Sequence, residues 1–227
     1  MRVAIMQPYF FPYIGYWQLV HAVDEFVIFD DVNFISRGYI NRNSILINGE
    51  PSRITLNLCK ASRNKKINEI SVGDNRDKLL RTIELAYRKA PFFDKGFPLI
   101  EKSLRQDEDN LAHFLGNTLR RISNYLGYET RFSYSSHIEK DTELRGQAKI
   151  LAICEALGAH EYINPIGGVE LYSREAFKNR GINLYFLETK PEVKRLRGKH
   201  PPLSIIDAVM HLSPDNLREL SHEYTLT

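Results

Sequence analysis

The first 31 residues constrain the fold of this chain more than any other part of it. The apolar run Val-Ala-Ile-Met at 3–6 enters a turn with two prolines and a glycine, and residues 13–24 then have the apolar spacing of a helix. A second apolar run ends on two carboxylates, Asp30 and Asp31. The order strand, loop, helix, strand is typical of the start of a parallel α/β sheet. Because ligands of such sheets bind beyond the carboxyl ends of the strands, we expect the turn and the carboxylates to border one crevice.

The rest of the chain predicts a β-hairpin, a helical segment and a return to α/β alternation. Asn48-Gly49 lies between two apolar runs and predicts a hairpin over residues 44–58. A short strand is expected at 67–72, and helical spacing then extends over about 74–127, with Gly127 as C-cap. Further strands are expected at 129–135, 161–164 and 183–188, and further helices at 143–157, after 168, at 204–210 and at 214–220. We therefore predict a single α/β domain, 1–227, with a parallel nucleotide-binding-type sheet, a β-hairpin excursion and a helical insertion at about 74–127.

Composition narrows the class of protein. A hydrophobic content of 43% and a charged content of 26% are those of a globular enzyme or binding protein. The net charge of +3 suits an anionic small molecule and is too small to predict a nucleic-acid partner. No apolar stretch reaches 18 residues and the N-terminus does not resemble a signal peptide, so we expect no membrane span. Two cysteines, Cys59 and Cys154, without a CxxC motif favour the cytoplasm, and a disulfide between them is left open.

The turn after the first strand is the first candidate binding site. Two prolines stiffen it and five aromatic side chains crowd it. Gly15 permits close approach of a ligand to the backbone and opens a helix whose amide dipoles favour an anion. The alternative is that the aromatic side chains pack in the core and the turn merely starts a helix. Under the binding interpretation, the substrate contacts come from Gln7, Tyr9, Tyr13, Gly15 and Tyr16.

Residues 13–16, Tyr-Ile-Gly-Tyr, resemble in outline the H-x-G-H turn of nucleotidyltransferases and acyl-adenylate-forming enzymes, which holds ATP phosphates. Both histidines are tyrosines here. A phenol can donate to a phosphate oxygen but cannot carry a positive charge, which counts against adenylyl transfer. The resemblance implies ATP or another activated acyl donor as the cofactor, and neither is fixed by the sequence.

The candidate catalytic residues are Asp30, Asp31 and His21. Adjacent residues on a strand point to opposite faces, so at most one of the two carboxylates faces the crevice with a given neighbour. That carboxylate could position or deprotonate an amine, and the alternative is a cap or a turn hydrogen bond. His21 follows on the first helix, a turn or more beyond Tyr16, and could support the site from behind. The histidine and cysteine spacings predict no metal site.

Two later segments add candidate substrate-binding residues. Arginine presents a planar fork to phosphate, and asparagine amides suit sugar hydroxyls. Both residue types occur in the segment 37–43, where Tyr39 could stack on a ligand. The alternative is that this segment is an ordinary solvated loop. Its candidate binding residues are Arg37, Asn41, Arg42 and Asn43. The turn after the predicted strand 161–164 has two glycines before a predicted helix, so it offers a second helix N-terminus that could bind an anion at the same edge of the sheet. With a residue from the preceding helix, its candidates are Arg145, Asn164, Gly167 and Gly168.

A basic segment at 190–199, with Arg195 and Arg197, is the last candidate. This segment could be a loop that binds phosphate. The alternative, which is more common for such a basic run, is a solvated surface.

Several stretches of the chain resemble the WbqC-like proteins. They are V-A-I-M-Q-P-Y-F-F-P-Y-I-G-Y-W-Q-L-V-H-A-V-D at 3–24, F-V-I at 26–28, D-D-V at 30–32, N-R-N at 41–43, A-P-F-F at 90–93, Y-I-N-P-I-G-G at 162–168 and L-S-I-I-D-A at 203–208. Members of this family occur with genes for O-antigen and other surface polysaccharides, including lipopolysaccharide, often beside enzymes that make nucleotide-linked amino sugars. The resemblance implies a role in making or decorating such sugars.

The function predicted from residues and resemblance together is a transferase that adds an acyl or aminoacyl group to a nucleotide-linked amino sugar. One alternative is a nucleotidyltransferase-like enzyme that acts on a sugar phosphate. Another is a non-catalytic protein that binds a sugar nucleotide. The expected partner is a nucleotide-linked sugar, and association into a homo-oligomer is left open.

Overall fold

The computed structural model describes residues 1–194 and 200–227. The strands of this part are β1 (Arg2–Met6), β2 (Glu25–Ile28), β3 (Arg42–Ile47), β4 (Glu50–Thr55), β5 (Leu58–Cys59), β6 (Ser71–Val72), β7 (Arg131–Tyr134), β8 (Glu161–Pro165), β9 (Asn183–Thr189) and β10 (Tyr224–Leu226). The helices are α1 (Ile14–His21), α2 (Arg76–Tyr87), α3 (Phe93–Leu104), α4 (Leu111–Leu126), α5 (Gly146–Ala156), α6 (Arg174–Lys178), α7 (Pro191–Lys194), α8 (Ile205–His211) and α9 (Pro214–Leu220).

The central sheet has six strands in the order β10-β9-β8-β1-β2-β7. Five of them run parallel, and only β10 is antiparallel to its neighbour β9. The chain passes from β1 to β2 on one side and later returns to β8 and β9 on the other side. The strand order therefore reverses between β1 and β8, which makes that gap the switch point of the sheet. This arrangement confirms the predicted α/β fold with a parallel sheet.

Both faces of the sheet are covered, which explains the nearly continuous apolar runs in β1 and β2. Val3, Ile5 and Val27 point into a core that they share with α5 and α6. The alternate residues Ala4 and Phe26 point into a larger core, which includes side chains of α1, α2, α3, α4, α8 and α9. None of the helices in the described ranges is long and apolar enough to cross a membrane.

The β3–β4 hairpin forms as its turn sequence predicts. Asn48 and Gly49 both have positive φ, 54° and 82°, which is the backbone geometry that a two-residue hairpin turn requires. Three helices, α2 to α4, then occupy the predicted helical region, and Gly127 ends α4 with a left-handed φ of 73°. Residues 67–72 differ from the prediction, since a 3-10 turn at Ile67–Glu69 precedes the two residues of β6.

The segment after β8 also differs from the prediction of a single helix. It forms a 3-10 turn at Ile166–Leu171 before the five residues of α6 begin. Gly167 and Gly168 are poor helix formers, and the backbone leaves the helical path at Tyr172, which has extended φ and ψ. The edge strand β10 has three residues and was not predicted.

Candidate functional site

A pocket of about 390 Å³ opens at the carboxyl edge of the sheet, beside the switch point. Its walls come from the turn before α1, from the loop before β3, from the turn after β8, from the end of β9 and from the segment that leads into α8. These walls include Tyr13, Gly15, Gly167, Leu187, Thr189, His200 and Ser204. The lining is mainly apolar with a few polar groups, which is the usual composition of a small-molecule site.

The turn between β1 and α1 is held in a fixed shape by contacts from distant segments. Phe11 is fully buried and has a φ of 45°, a left-handed conformation that is uncommon for a residue other than glycine. Its carbonyl oxygen accepts hydrogen bonds from Asn43 Nδ2 at 2.8 Å and from Ser204 Oγ at 2.8 Å. Trp17 Nε1 donates to the carbonyl oxygen of Pro12 at 2.9 Å. The pocket wall is therefore preformed by the packing of the core.

Gly15 fits its position because β9 approaches it closely. A Cβ atom added there would lie 2.7 Å from Thr189 Oγ1 and 2.9 Å from Cε2 of Tyr13. Thr189 Oγ1 in turn donates to Oε1 of Gln18, whose amide nitrogen donates to the carbonyl oxygens of Leu220 and Glu223. The first turn of α1 is thereby fixed against the end of β9, with Gly15 facing the pocket.

Four tyrosines cluster at this edge. Tyr9 contacts Tyr16 and Tyr39 with ring centroids 5.3 and 5.5 Å apart, and Tyr13 lies 6.3 Å from Tyr39. Tyr16 is buried and its hydroxyl donates to the carbonyl oxygen of Gln7 at 2.9 Å. Burial raises the pKa of Tyr9 to about 12 and that of Tyr16 well above its usual value. Tyr13 and Tyr39 line the pocket, whereas Tyr16 supports the turn from inside.

The positions of Tyr13 and Tyr16 do not fit a triphosphate held in the manner of an H-x-G-H turn. The Tyr16 hydroxyl is already committed to the backbone of Gln7, so it is not free to donate to a phosphate. Tyr13, which lines the pocket, and the backbone at the start of α1 are the groups of this turn that face a ligand there.

The turn after β8 forms another side of the pocket and, like the turn before α1, contains glycine. Asn164 is 5% exposed, accepts a hydrogen bond from the hydroxyl of Tyr162 at 3.1 Å and donates to the carbonyl oxygen of Pro165 at 3.0 Å. Its Nδ2 lies against Gly168, where a side chain would collide with it. Gly167 lines the pocket, and a Cβ added there would meet nothing within 4 Å. Asn164 and Gly168 therefore shape the turn, and Gly167 leaves room for a ligand.

His200 and Asp207 are titratable pocket residues that the sequence reasoning did not select. Asp207 is 1% exposed and accepts a hydrogen bond from the hydroxyl of Tyr87 at 3.1 Å. Nδ1 of His211 lies 2.8 Å from the carbonyl oxygen of Asp207. No spacing signal links His200 to the first turn. Asp207 belongs to the fragment L-S-I-I-D-A, which supports the family resemblance but does not by itself indicate a binding or catalytic role.

Asp30 is buried and serves as an anchor between segments. Ser136 donates to it through its backbone nitrogen at 2.9 Å and its hydroxyl at 2.6 Å, and Asn68 Nδ2 donates at 3.2 Å. These bonds connect the end of β2 with the loops after β7 and before β6. Asp30 is not among the residues that line the pocket.

Asp31 lies in a separate buried ion cluster. Its Oδ2 is 2.8 Å from Lys149 Nζ and 3.1 Å from Lys140 Nζ, and Ser135 Oγ donates to its Oδ1 at 2.5 Å. Burial by itself raises the pKa of Asp31, but the hydrogen bonds from Lys149, Ser135 and Lys140 outweigh it and the net effect is a lowered pKa. A carboxylate paired with two ammonium groups in this way is suited to stabilising the fold and not to accepting a proton from a substrate.

His21 lies near the opposite edge of the sheet, at the end of α1. Its ring contacts those of Tyr128 and His222, with centroids 4.9 and 4.3 Å apart. Burial, with a smaller contribution from His222, lowers the pKa of His21. A second cavity borders His21, formed with residues 127–131, so the structure does not bring this histidine to the switch-point pocket.

The predicted sugar-reading loop is occupied mainly by internal contacts. Asn43 donates to the carbonyl oxygens of Phe10 and Phe11, and Asn41 donates to that of Leu56 at 2.9 Å. Arg42 folds back onto the carbonyl oxygens of Gly38 and Arg37. Arg37 itself is exposed, with a φ of 67°.

Arg145 caps α5 outside the pocket, where its guanidinium donates to the carbonyl oxygens of Thr142 and Leu144. The basic residues Arg195 and Arg197 lie outside the described residues. Cys59 and Cys154 are both free cysteines. Burial raises the pKa of the Cys154 thiol to about 12.

Of the residues selected from the sequence, the structure brings Tyr13, Gly15 and Gly167 together at the pocket. Those that shape its walls from behind are Tyr9, Gln7, Tyr16, Asn43, Asn164 and Gly168. Those that lie elsewhere or in other networks are Asp30, Asp31, His21, Arg37, Asn41, Arg42 and Arg145.

The fold and the pocket together define an α/β protein with a mostly parallel sheet and a pocket at the switch point of that sheet. The chain belongs to the WbqC-like protein family, whose model matches residues 7–219. It is similar to the uncharacterized protein Rv1507c of Mycobacterium tuberculosis, with 29% identity over 229 residues that cover 96% of this chain and 97% of that protein. No solved structure matches the chain.

Proposed function

We propose that the protein binds a nucleotide-linked amino sugar in the switch-point pocket and transfers an acyl or aminoacyl group to its amino nitrogen. The role we assign to this reaction is the decoration of a sugar for surface polysaccharides such as O-antigen. The observation that carries the proposal is the pocket itself, because ligands of doubly wound sheets bind at such switch points. Its volume of about 390 Å³ lies within the range of small-molecule sites.

The pocket offers separate surfaces for the parts of such a substrate. Tyr13 and Tyr39 present aromatic rings that suit a base or a sugar face. Ile14 and Gly15, in the first turn of α1, border the same space, and a helix N-terminus favours the charge of a pyrophosphate. Gly167 leaves open space on the opposite wall.

His200 and Asp207 are the pocket groups that suit chemistry on an amine. Asp207 supplies a carboxylate toward an amino group, and His200 supplies an imidazole that can serve as the general base. In the transfer, the amine nitrogen forms a bond to the acyl carbon and the bond from that carbon to its donor breaks. The proton that the amine loses passes to His200 and leaves with the donor group. Asp30 and Asp31 have no part in this step.

The test is an acylation assay on purified protein with UDP-linked and dTDP-linked amino sugars, acyl thioesters, and free amino acids with ATP, followed by mass spectrometry of the sugar. The proposal expects a mass increase that corresponds to an N-acyl or N-aminoacyl product. It also expects that His200→Gln lowers kcat while the KM for the sugar stays close to that of the wild type. Pyrophosphate release from a nucleoside triphosphate and a sugar phosphate would instead support the nucleotidyltransferase alternative. Binding without turnover with any donor class would support the binding protein.

A further inference from the structure

The segment from residue 32 to 68 carries an unusual excess of positive charge. It contains seven basic residues and a single carboxylate, Glu50. The basic residues are Arg37, Arg42, Arg53, Lys60, Arg63, Lys65 and Lys66. None of the seven forms an ion pair with a carboxylate of the described residues, although basic side chains elsewhere in the chain do so repeatedly. The chain as a whole has a net charge of only +3, so this charge is strongly localised.

Six of these residues lie on the hairpin and on two loops that contact each other, and we call the surface that they form the basic face: Arg37, Arg42, Arg53, Arg63, Lys65 and Lys66. Arg42 and Arg53 lie on the outer side of the β3–β4 hairpin, where Arg53 pairs with Ser44. The loop at 60–66 runs beside residues 32–36, since the backbone nitrogen of Phe34 donates to the carbonyl oxygen of Lys65 at 2.9 Å. Arg63 Nε donates to Ser36 Oγ at 2.6 Å, which joins the two loops.

Two exposed apolar side chains lie within the basic face. Ile35 is 52% exposed and Tyr39 is 47% exposed, and both are in the loop that Arg63 and Arg42 hold. An apolar centre with a charged surround is the usual anatomy of a protein–protein interface. Two half-exposed side chains offer little apolar surface for insertion into a membrane.

The basic face is continuous with the pocket. Tyr39 belongs to both, and the backbone nitrogen of Phe10, in the turn that leads to the pocket wall, donates to the carbonyl oxygen of Tyr39 at 2.9 Å. A partner that docks here is therefore next to the pocket mouth.

We propose that the basic face docks an acidic carrier protein that delivers the acyl group as a thioester on a flexible arm. This inference rests on the proposed acyl transfer and names its donor class. The charge of the face is complementary to an acidic surface, and the arm reaches the pocket past Tyr39. In the transfer the amine nitrogen bonds to the acyl carbon, the carbon–sulfur bond breaks, and the carrier thiol leaves with the proton.

The test measures direct binding, so it is independent of turnover. The probe is a purified acidic acyl carrier protein with its prosthetic arm acylated, titrated by isothermal calorimetry at low and at moderate salt. The variant Arg53→Glu/Lys65→Glu reverses two basic residues whose side chains have no hydrogen bond or ion pair recorded in the described part of the chain. Its matched control, Lys95→Glu/Lys178→Glu, makes the same charge change at exposed positions on α3 and α6.

The proposal expects wild-type binding that weakens with salt, a loss of about tenfold or more in the face variant, and an unchanged control. No binding in the wild type, or equal losses in both variants, would overturn it. Vesicles with anionic lipid that sediment with the wild type but not with the face variant, while the carrier does not bind, would assign the face to a membrane instead.

Calorimetry with a nucleotide-linked amino sugar separates this inference from the proposed function. The face variant should bind the sugar like the wild type. If the sugar does not bind but the carrier does, the proposed sugar substrate fails while the docking face stands.

Discussion

The side-chain amide of Asn43 donates to the carbonyl oxygen of Phe11 at 2.8 Å and so holds a buried residue with a positive φ in the pocket wall. The same amide donates to the carbonyl oxygen of Phe10 at 3.1 Å, and its own oxygen accepts from the backbone nitrogen of Ser44 at 2.8 Å. A single side chain thus joins the hairpin to the turn that borders the site.

Asn43→Ala should therefore destabilise the fold by about 2–4 kcal/mol, because it removes three hydrogen bonds and leaves the buried carbonyl of Phe10 without its side-chain partner. The carbonyl of Phe10 loses the hydrogen bond recorded for it, while that of Phe11 keeps the bond from Ser204. Urea unfolding measures the loss. The control is Asn41→Ala, which removes the bond from a half-buried side chain to Leu56 and should cost about 1 kcal/mol. Equal effects of the two substitutions would contradict the role of Asn43.

The contact between Gly15 and Thr189 predicts a non-additive pair of substitutions. Gly15→Ala places a methyl group 2.7 Å from Thr189 Oγ1 and should cost about 1–3 kcal/mol through overpacking. Thr189→Ala removes that oxygen and its hydrogen bond to Gln18. In a double-mutant cycle, the two changes together should cost less than the sum of the single changes, by about 0.5 kcal/mol or more. If the two losses of unfolding free energy are strictly additive, the contact between residue 15 and Thr189 does not contribute to stability.

The ion cluster around Asp31 predicts a dependence of stability on pH. Because the carboxyl pKa is lowered in the folded protein, the unfolded chain binds more protons between the two pKa values. The contribution is complete above the unfolded pKa of about 3.9 and is lost as the pH falls through the folded pKa. Unfolding measured from pH 7 to pH 2 should show this loss in the wild type.

Asp31→Asn should lose about 3–5 kcal/mol at pH 7, since it leaves the ammonium groups of Lys140 and Lys149 buried without their carboxylate. Its unfolding free energy should also fall less steeply below pH 4 than that of the wild type. Asp215→Asn, at a side chain that is 84% exposed, is the control and should change stability by less than about 0.5 kcal/mol. A small effect of Asp31→Asn at pH 7 would contradict the ion cluster.

The sequence predicts those parts of the fold that depend on local patterns. Apolar runs identify β1 and β2, Asn48-Gly49 identifies the hairpin turn, and Gly127 identifies the end of α4. The three residues of β10 carry too little pattern to be recognised, because their strand depends on pairing with β9.

The sequence predicts only those parts of the candidate site that the turns directly after β1 and β8 form. Tyr13, Gly15 and Gly167 belong to turns that follow strands, and such turns meet at one edge of a parallel sheet. His200 and Asp207 reach the pocket through tertiary folding, which no spacing rule reveals. Asn43 was predicted to contact a sugar, but a backbone carbonyl satisfies an amide as well as a hydroxyl does, so residue type alone cannot separate the two roles.

Calorimetric titration of a UDP-linked or dTDP-linked amino sugar tests the switch-point pocket most directly. Gly167→Val adds a side chain inside the pocket at a position where an added Cβ meets nothing within 4 Å. Val169→Leu, the control, enlarges an exposed side chain of the same segment that does not line the pocket. We expect the wild type and Val169→Leu to bind alike and Gly167→Val to bind about tenfold more weakly or worse, with unchanged stability. Equal binding by Gly167→Val and the wild type, or no binding by the wild type to either sugar nucleotide, would contradict the account.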